Sequence, residues 1–425
     1  MLGFLRQLRH LYRDTSANAM ILSAFALFAM VGGAGLATDT VQWTLWKRQL
    51  QRMADSAAIS GAYALASGAS ASTAANAEIA RYSYITSTVT TTIETPPTAG
   101  GYSGNAKAVR VVLSTSRTLP FSSLFMNSTP TITAQATGAA VSFGEFCLVS
   151  LETTTATGIT FQGSSDTRLG CGAASNSQGN PAINASGSSF IIASPIAAVG
   201  NVPVSSNYQA GTTVIPYALP QPDPFANLPM MAVPNGNSCN SGFSDSPQTV
   251  STITIPGGQT SKCFNDFNVK GTVTMDPGIY IIDGKNGGSF NLGSQANITC
   301  LGCVFLLTTS GASSTVATVN MNGGATVNIT APTSGTYAGV MFYQDRTATN
   351  VTTNQVNGNA SSKFQGAVYM PKQDVQFSGS SGMNTHCLQI VSRRITMTGN
   401  NAIQNDTCTG TGSSAVTGTQ VRLVD

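Results

Sequence analysis

Residues 269–307 read VKGTVTMDPGIYIIDGKNGGSFNLGSQANITCLGCVFLL. Short β-branched and aromatic runs alternate here with the corners Asp276-Pro277-Gly278, Asp283-Gly284 and Asn286-Gly287-Gly288. Nothing in the stretch has helical periodicity, and each run is too brief to bury much surface alone. Short strands with Gly and Asn corners predict a parallel β-helix, in which each coil buries its apolar edge on the next. A β-sandwich uses similar strands with antiparallel turns and is the competing reading.

Working outward, the same texture runs from residue 146 to the C-terminus. Further strand candidates lie at 159–162, 190–193, 252–255, 316–321, 325–330, 340–343, 367–370, 375–378, 388–391 and 395–398, with a corner at Asn322-Gly323-Gly324. The proline-rich segment 216–234 breaks the pattern and is read as an extended excursion. Eight cysteines fall in this half. Pairing sequence neighbours joins Cys147–Cys171, Cys239–Cys263, Cys300–Cys303 and Cys387–Cys408, with separations of 24, 24, 3 and 21. The three long separations approximate one coil, as staples between adjacent rungs would require. Many other pairings remain open. Cys300-Leu301-Gly302-Cys303 also admits a zinc site with His386 and Cys387, or a redox pair, beside a tight structural disulfide.

The N-terminal third differs. Residues 20–37, MILSAFALFAMVGGAGLA, form an uncharged apolar run behind Arg6, Arg9 and Arg13. As a helix the run rises roughly 30 Å, about the hydrocarbon thickness of a bilayer. Lys47, Arg48 and Arg52 follow it, so charge alone does not orient the span. The even cysteine count suits an oxidising compartment and selects N-in, C-out. Gly35-Leu36-Ala37 offers a signal-peptidase site as the alternative. Against cleavage, Trp43, Trp46, Leu50, Met53, Ala57, Gly61 and Ala64 continue a helical stripe through that point. Trp43, Trp46, Leu50, Met53 and Ala57 are the candidate seam for another helix, or for the protein's own membrane-proximal domain. A second helix is predicted over 74–86, a loop over 86–104, and antiparallel strands over 108–115 and 131–141.

The predicted organisation is therefore a cytoplasmic basic tail (1–16), a transmembrane helix (17–38), an α+β membrane-proximal module (39–145) and a right-handed parallel β-helix-like domain (146–425). The fold class is mainly β with an N-terminal transmembrane helix. Only 9% of the 425 residues are charged, and net charge is +3. That composition gives no basic patch for nucleic acid, while 41% hydrophobic residues exclude a disordered chain.

Residues 13–68 closely resemble the N-terminal domain of TadE/TadG-like Flp (tight adherence) pilus-assembly proteins. The ordered features are the apolar span ending in Gly35-Leu36-Ala37, then Asp39, Trp43 and Ala54-Asp55-Ser56-Ala57-Ala58. Blocks such as Asp276-Pro277-Gly278-Ile279-Tyr280 and Gly339-Val340-Met341-Phe342-Tyr343 resemble an extracytoplasmic domain of some members. The von Willebrand factor A domain of others has an Asp-x-Ser-x-Ser loop, which has no counterpart in this sequence. The resemblance implies a structural component of Flp pilus assembly, anchored in the bacterial inner membrane with its bulk periplasmic. Its implied partners are other pilus-assembly or pilin-like membrane proteins.

Titrating groups for catalysis are sparse. Histidine occurs only at His10 and His386, and the sequence contains no G-x-S-x-G elbow, H-E-x-x-H motif or P-loop. No cofactor, metal or small-molecule substrate is predicted. Two rival functions are a surface adhesin or glycan-binding module, and a polysaccharide-cleaving β-helix enzyme. For the enzyme, the nearest candidates are Asp345-Arg346, read as a local ion pair, and Lys372 with Asp374.

Overall fold

The computed structural model describes residues 15–82, 89–234, 239, 241–379, 383, 385, 387–399, 408, 410–413 and 416–424. The arginines of the basic tail, His10 and His386 lie outside the described residues. The chain divides into two compact units, residues 1–141 with 421–425, and residues 142–420.

In the first unit, helix α1 (Thr15–Ala66) is continuous through the apolar run and its extension. Helix α2 (Ala71–Ala80) follows, capped by Ser70, whose Oγ accepts the Thr73 N–H at 3.3 Å. It starts earlier than the predicted 74–86, because the cap sits at Ser70, and it ends at the Arg81 cap; residues 83–86 of the predicted range lie outside the described residues. Strands β1 (Val89–Glu94), β2 (Ala108–Ser116) and β3 (Thr131–Ser150) form an antiparallel sheet. β1 corrects the expected loop over 86–104. Its threonines are β-branched, and its backbone groups pair with β2 from Val89↔Thr115 to Glu94↔Arg110.

Small residues let α1 lie close to this sheet. Ala54, Ala57, Ala58 and Ala62 are buried, as are Ala134 and Ala136 of β3. Gly138 marks the closest approach, where an added Cβ would stand 2.4 Å from the Ala58 carbonyl oxygen. Lys47 donates to the Thr133 carbonyl and Gln51 to the Gln135 carbonyl, so α1 tracks β3 as both advance.

The second unit is built from parallel strands. Gly278–Asp283, Ser289–Leu292 and Asn297–Leu301 pair with Cys303–Thr308, Thr318–Met321 and Thr326–Thr330 respectively. Each strand therefore pairs with the third strand after it, and the same step carries Cys303–Thr308 onto Val340–Gln344. This is the connectivity of a coil with three strands per turn, rather than of antiparallel hairpins.

Inside, like side chains stack in register. Phe267 lies on Phe290 with ring centroids 5.1 Å apart, and Phe305 lies on Phe342 at 5.2 Å. The β-branched run that precedes the Asp276-Pro277-Gly278 corner is divided between two strands, Phe267–Val269 and Thr272–Met275. Gly271 turns the corner between them, where a Cβ would lie 2.5 Å from the Thr249 carbonyl oxygen.

The coils do not stack in sequence order. Leu388–Gly399 pairs in parallel both with Lys363–Gly379 and with the start of the unit, through Ile390↔Leu148 and Ile395↔Ile159. Residues 148–150 then pair with Gly172–Ser175, which pairs with Ile196–Ala198. The last turn in sequence thus seats on the first. The chain must travel the length of the stack to begin again, and residues 216–234 make that journey as a strap.

Candidate functional site

Two features of the molecule bear on function, one in each unit.

In the first unit, α1 contains one stretch long and apolar enough to cross a membrane, near the N-terminus and with none of it buried within the protein. Of the five seam residues, Leu50, Met53 and Ala57 are buried in the unit's own core. Trp46 is partly buried against that core, and Trp43 is 40% exposed. The protein's own sheet occupies most of this stripe, which leaves only its tryptophan end for another helix. Arg117 places its guanidinium 5.4 Å from the Trp46 ring. Asp39, at the end of the apolar run, is buried. Its carboxylate accepts the Phe121 N–H at 3.1 Å, the Ser122 hydroxyl at 2.6 Å and the Ser122 N–H. The resemblance singled out Asp39 without giving it a partner. Its acceptor role needed the loop 117–130, which is 82 positions away at Phe121.

In the second unit, the strap covers the outward face of one sheet. Tyr337 donates to the Pro229 carbonyl at 2.9 Å and Tyr343 to the Leu228 carbonyl at 2.7 Å. The Tyr369 hydroxyl donates to Asp223 at 2.6 Å. Burial pushes the Tyr343 hydroxyl up to about 12, so it stays a donor at any physiological pH. Arg346 donates to the carbonyls of Leu228 (3.0 Å) and Phe225, and to the Tyr369 hydroxyl (2.9 Å).

The predicted Asp345–Arg346 ion pair is therefore corrected. Both residues lie just past the end of the strand Val340–Gln344, and Asp345 accepts from the Thr308 hydroxyl at 2.9 Å and from the N–H and hydroxyl of Thr347. Lys372 and Asp374 do not form a pair either. Asp374 accepts from Nε and Nη2 of Arg393, at 2.8 and 2.7 Å. Asp345, Arg346 and Asp374, the candidates for polysaccharide cleavage, are thus engaged in hydrogen bonds within the protein.

Arg393 belongs to a charge network at the junction of the last and first turns. Arg394 donates to Glu152 at 2.8 Å, Arg393 lies 3.8 Å from the same carboxylate, and Ser150 Oγ donates to the Arg393 carbonyl at 2.7 Å. Burial pushes the Glu152 carboxyl up, but the Arg394 and Thr154 hydrogen bonds outweigh it and hold Glu152 below the ordinary glutamate value.

All eight cysteines are paired: Cys147–Cys171, Cys239–Cys263, Cys300–Cys303 and Cys387–Cys408. Cys147–Cys171 links neighbouring turns, and Cys239–Cys263 fastens the strap's end to a coil strand. Cys300–Cys303 closes a corner at Gly302, where φ is +76°. The two sulfurs of the CxxC are bonded to each other, which removes the thiolates that a zinc site needs. Among the described residues, no group of three or more His, Cys, Asp or Glu could hold a metal ion. Beside the strap, an apolar cleft of about 510 Å³ is lined by Met230, Met231, Ile279, Val304, Pro332 and Tyr337, among others. None of its lining residues carries a charge.

No curated protein and no solved structure matches this chain. Residues 17–66, which cover the apolar span and its extension along the sheet, match the family model of putative Flp pilus-assembly TadE/G-like proteins.

Proposed function

We propose that the protein is a structural component of Flp pilus assembly, held in the bacterial inner membrane by α1 with its coil on the periplasmic side. One observation carries the reading: the segment that matches the pilus-assembly family is itself the exposed apolar helix, and it continues without a break into a helix packed on the chain's own sheet. A helix that runs unbroken through Ala37 into the part packed on the chain's own sheet favours retention over cleavage. Disulfide staples suit the oxidising side of the membrane. The coil then serves as a rigid, weakly charged scaffold for other pilus components.

The test is complementation of a deletion strain. The full chain restores piliation, and a version in which a cleavable signal peptide replaces residues 1–38 does not. Full complementation by the soluble version would refute the anchor. Normal piliation in the deletion strain, with surface attachment lost, would favour the adhesin reading instead.

A further inference from the structure

We propose that the loop 121–126 is a second membrane contact, which dips its apolar tip into the bilayer beside the point where α1 leaves it. The inference rests on the membrane reading of α1.

Leu124 and Phe125 are 75% and 74% exposed, and Met126 is 47% exposed. Three consecutive large apolar side chains bare to water are costly on a small domain unless a partner covers them. Their position identifies the partner. Asp39 clamps the loop at Phe121 and Ser122. The Phe121 side chain lies against α1 at Gly35, where an added Cβ would fall 2.3 Å from the ring. Gly35 stands one helical turn before Asp39, about 6 Å deeper along the axis. The Phe125 ring centroid is 5.4 Å from that of Phe121. Through Phe121 the loop therefore reaches the level of the last turn of the apolar run, where Leu36 is itself exposed.

Its flanks match an interfacial site. Ser123, Asn127, Ser128 and Thr129 surround the tip, and Arg117 with Trp46 lies on the aqueous side of Asp39. Aromatic and cationic groups at headgroup level, with aliphatic and phenyl groups below, are the arrangement that an interface favours. The apolar surface is continuous with that of the helix, so lipid is the occupant it fits. Two attachments in place of one would fix the rotation and tilt of the first unit on the membrane.

The test uses the full chain in phosphatidylethanolamine/phosphatidylglycerol vesicles. Every described cysteine is disulfide-bonded, so one added thiol is labelled selectively with an environment-sensitive fluorophore. The positions are Phe125→Cys, Phe28→Cys in the apolar run, and Ala99→Cys. Ala99 lies beyond the opposite end of β2, roughly 27 Å along the sheet at 3.4 Å per residue. With spin labels carried shallow or deep on the lipid chains in separate vesicles, the account expects quenching of about twofold or more at 125 by the shallow label and at 28 by the deep one, and almost none at 99 by either. Quenching at 28 with none at 125 would overturn the proposal and leave the anchor standing. No quenching at either would overturn both. A label at 125 that pilus components shield from aqueous iodide, without lipid quenching, would assign the tip to a protein partner and refute the lipid contact. Should Phe125→Cys misfold, Leu124→Cys gives the same readout.

Discussion

The two units bury their interiors by opposite means. In the coil, large rings stack in register: Phe267 on Phe290, and Phe305 on Phe342. In the first unit, Ala54, Ala58, Ala62, Ala134 and Gly138 let a helix and a sheet approach until little side chain separates them. The difference follows from what each interior must accommodate. A coil encloses a volume that only bulky residues fill. A helix that lies along a sheet for several turns needs a flat seam. Losing volume should therefore hurt the coil most, and gaining volume should hurt the first unit most.

The following predictions sharpen that contrast, each read by thermal or denaturant unfolding of the full chain in detergent. Phe305→Ala leaves a cavity between Tyr280, Phe290 and Phe342 and should cost about 3–5 kcal/mol. A loss below 1 kcal/mol would mean that the ring ladder is loosely packed. Replacing Cys147 and Cys171 together by Ala should cost about 2–4 kcal/mol and destabilise the coil alone. In the other unit, Gly138→Ala should cost about 1–3 kcal/mol, because backbone rather than a movable side chain meets the new methyl. An unchanged midpoint there would refute the close approach.

A smaller effect is expected at the junction of the last and first turns. Glu152 has its pKa depressed in the folded state. The stability it contributes is therefore complete above the unfolded glutamate value of about 4.3 and is lost as pH falls through the lower folded value. Glu152→Gln should cost about 1–2 kcal/mol at neutral pH, discounted because Arg394 is partly exposed, and should flatten the acid limb of the stability profile. An unaltered acid limb would place the acid sensitivity elsewhere. Tyr369→Phe, which removes the donor to Asp223, should cost about 1 kcal/mol and loosen the strap, seen as faster amide exchange around residue 223.

How much the sequence told in advance divides along physical lines. Local signals were legible: the corners at Asp283-Gly284 and Gly287-Gly288 mark turns because few other residues fit, and the apolar run declares itself by composition. Neighbouring cysteines led to the pairs found. The order of the coils was not legible. That Ile390 pairs with Leu148 depends on two strand edges more than 240 positions apart, and parallel pairing leaves no turn to announce it. The strap read as a break in the pattern, but nothing local revealed that Tyr337, Tyr343 and Tyr369 would hold it down. The seam Trp43 to Ala57 had the right periodicity, yet periodicity does not say whether the buried face meets a partner or the chain's own sheet.

The central claim is a retained anchor with an exported coil. Proteinase K added to intact spheroplasts, followed by detection of a C-terminal tag and an N-terminal tag on the same chain, tests it directly. The account predicts that the external tag disappears while a short membrane-embedded fragment keeps the N-terminal tag. A C-terminal tag that survives until the cells are lysed, or a full-size coil freed into the periplasm with a new terminus near Thr38, would contradict it.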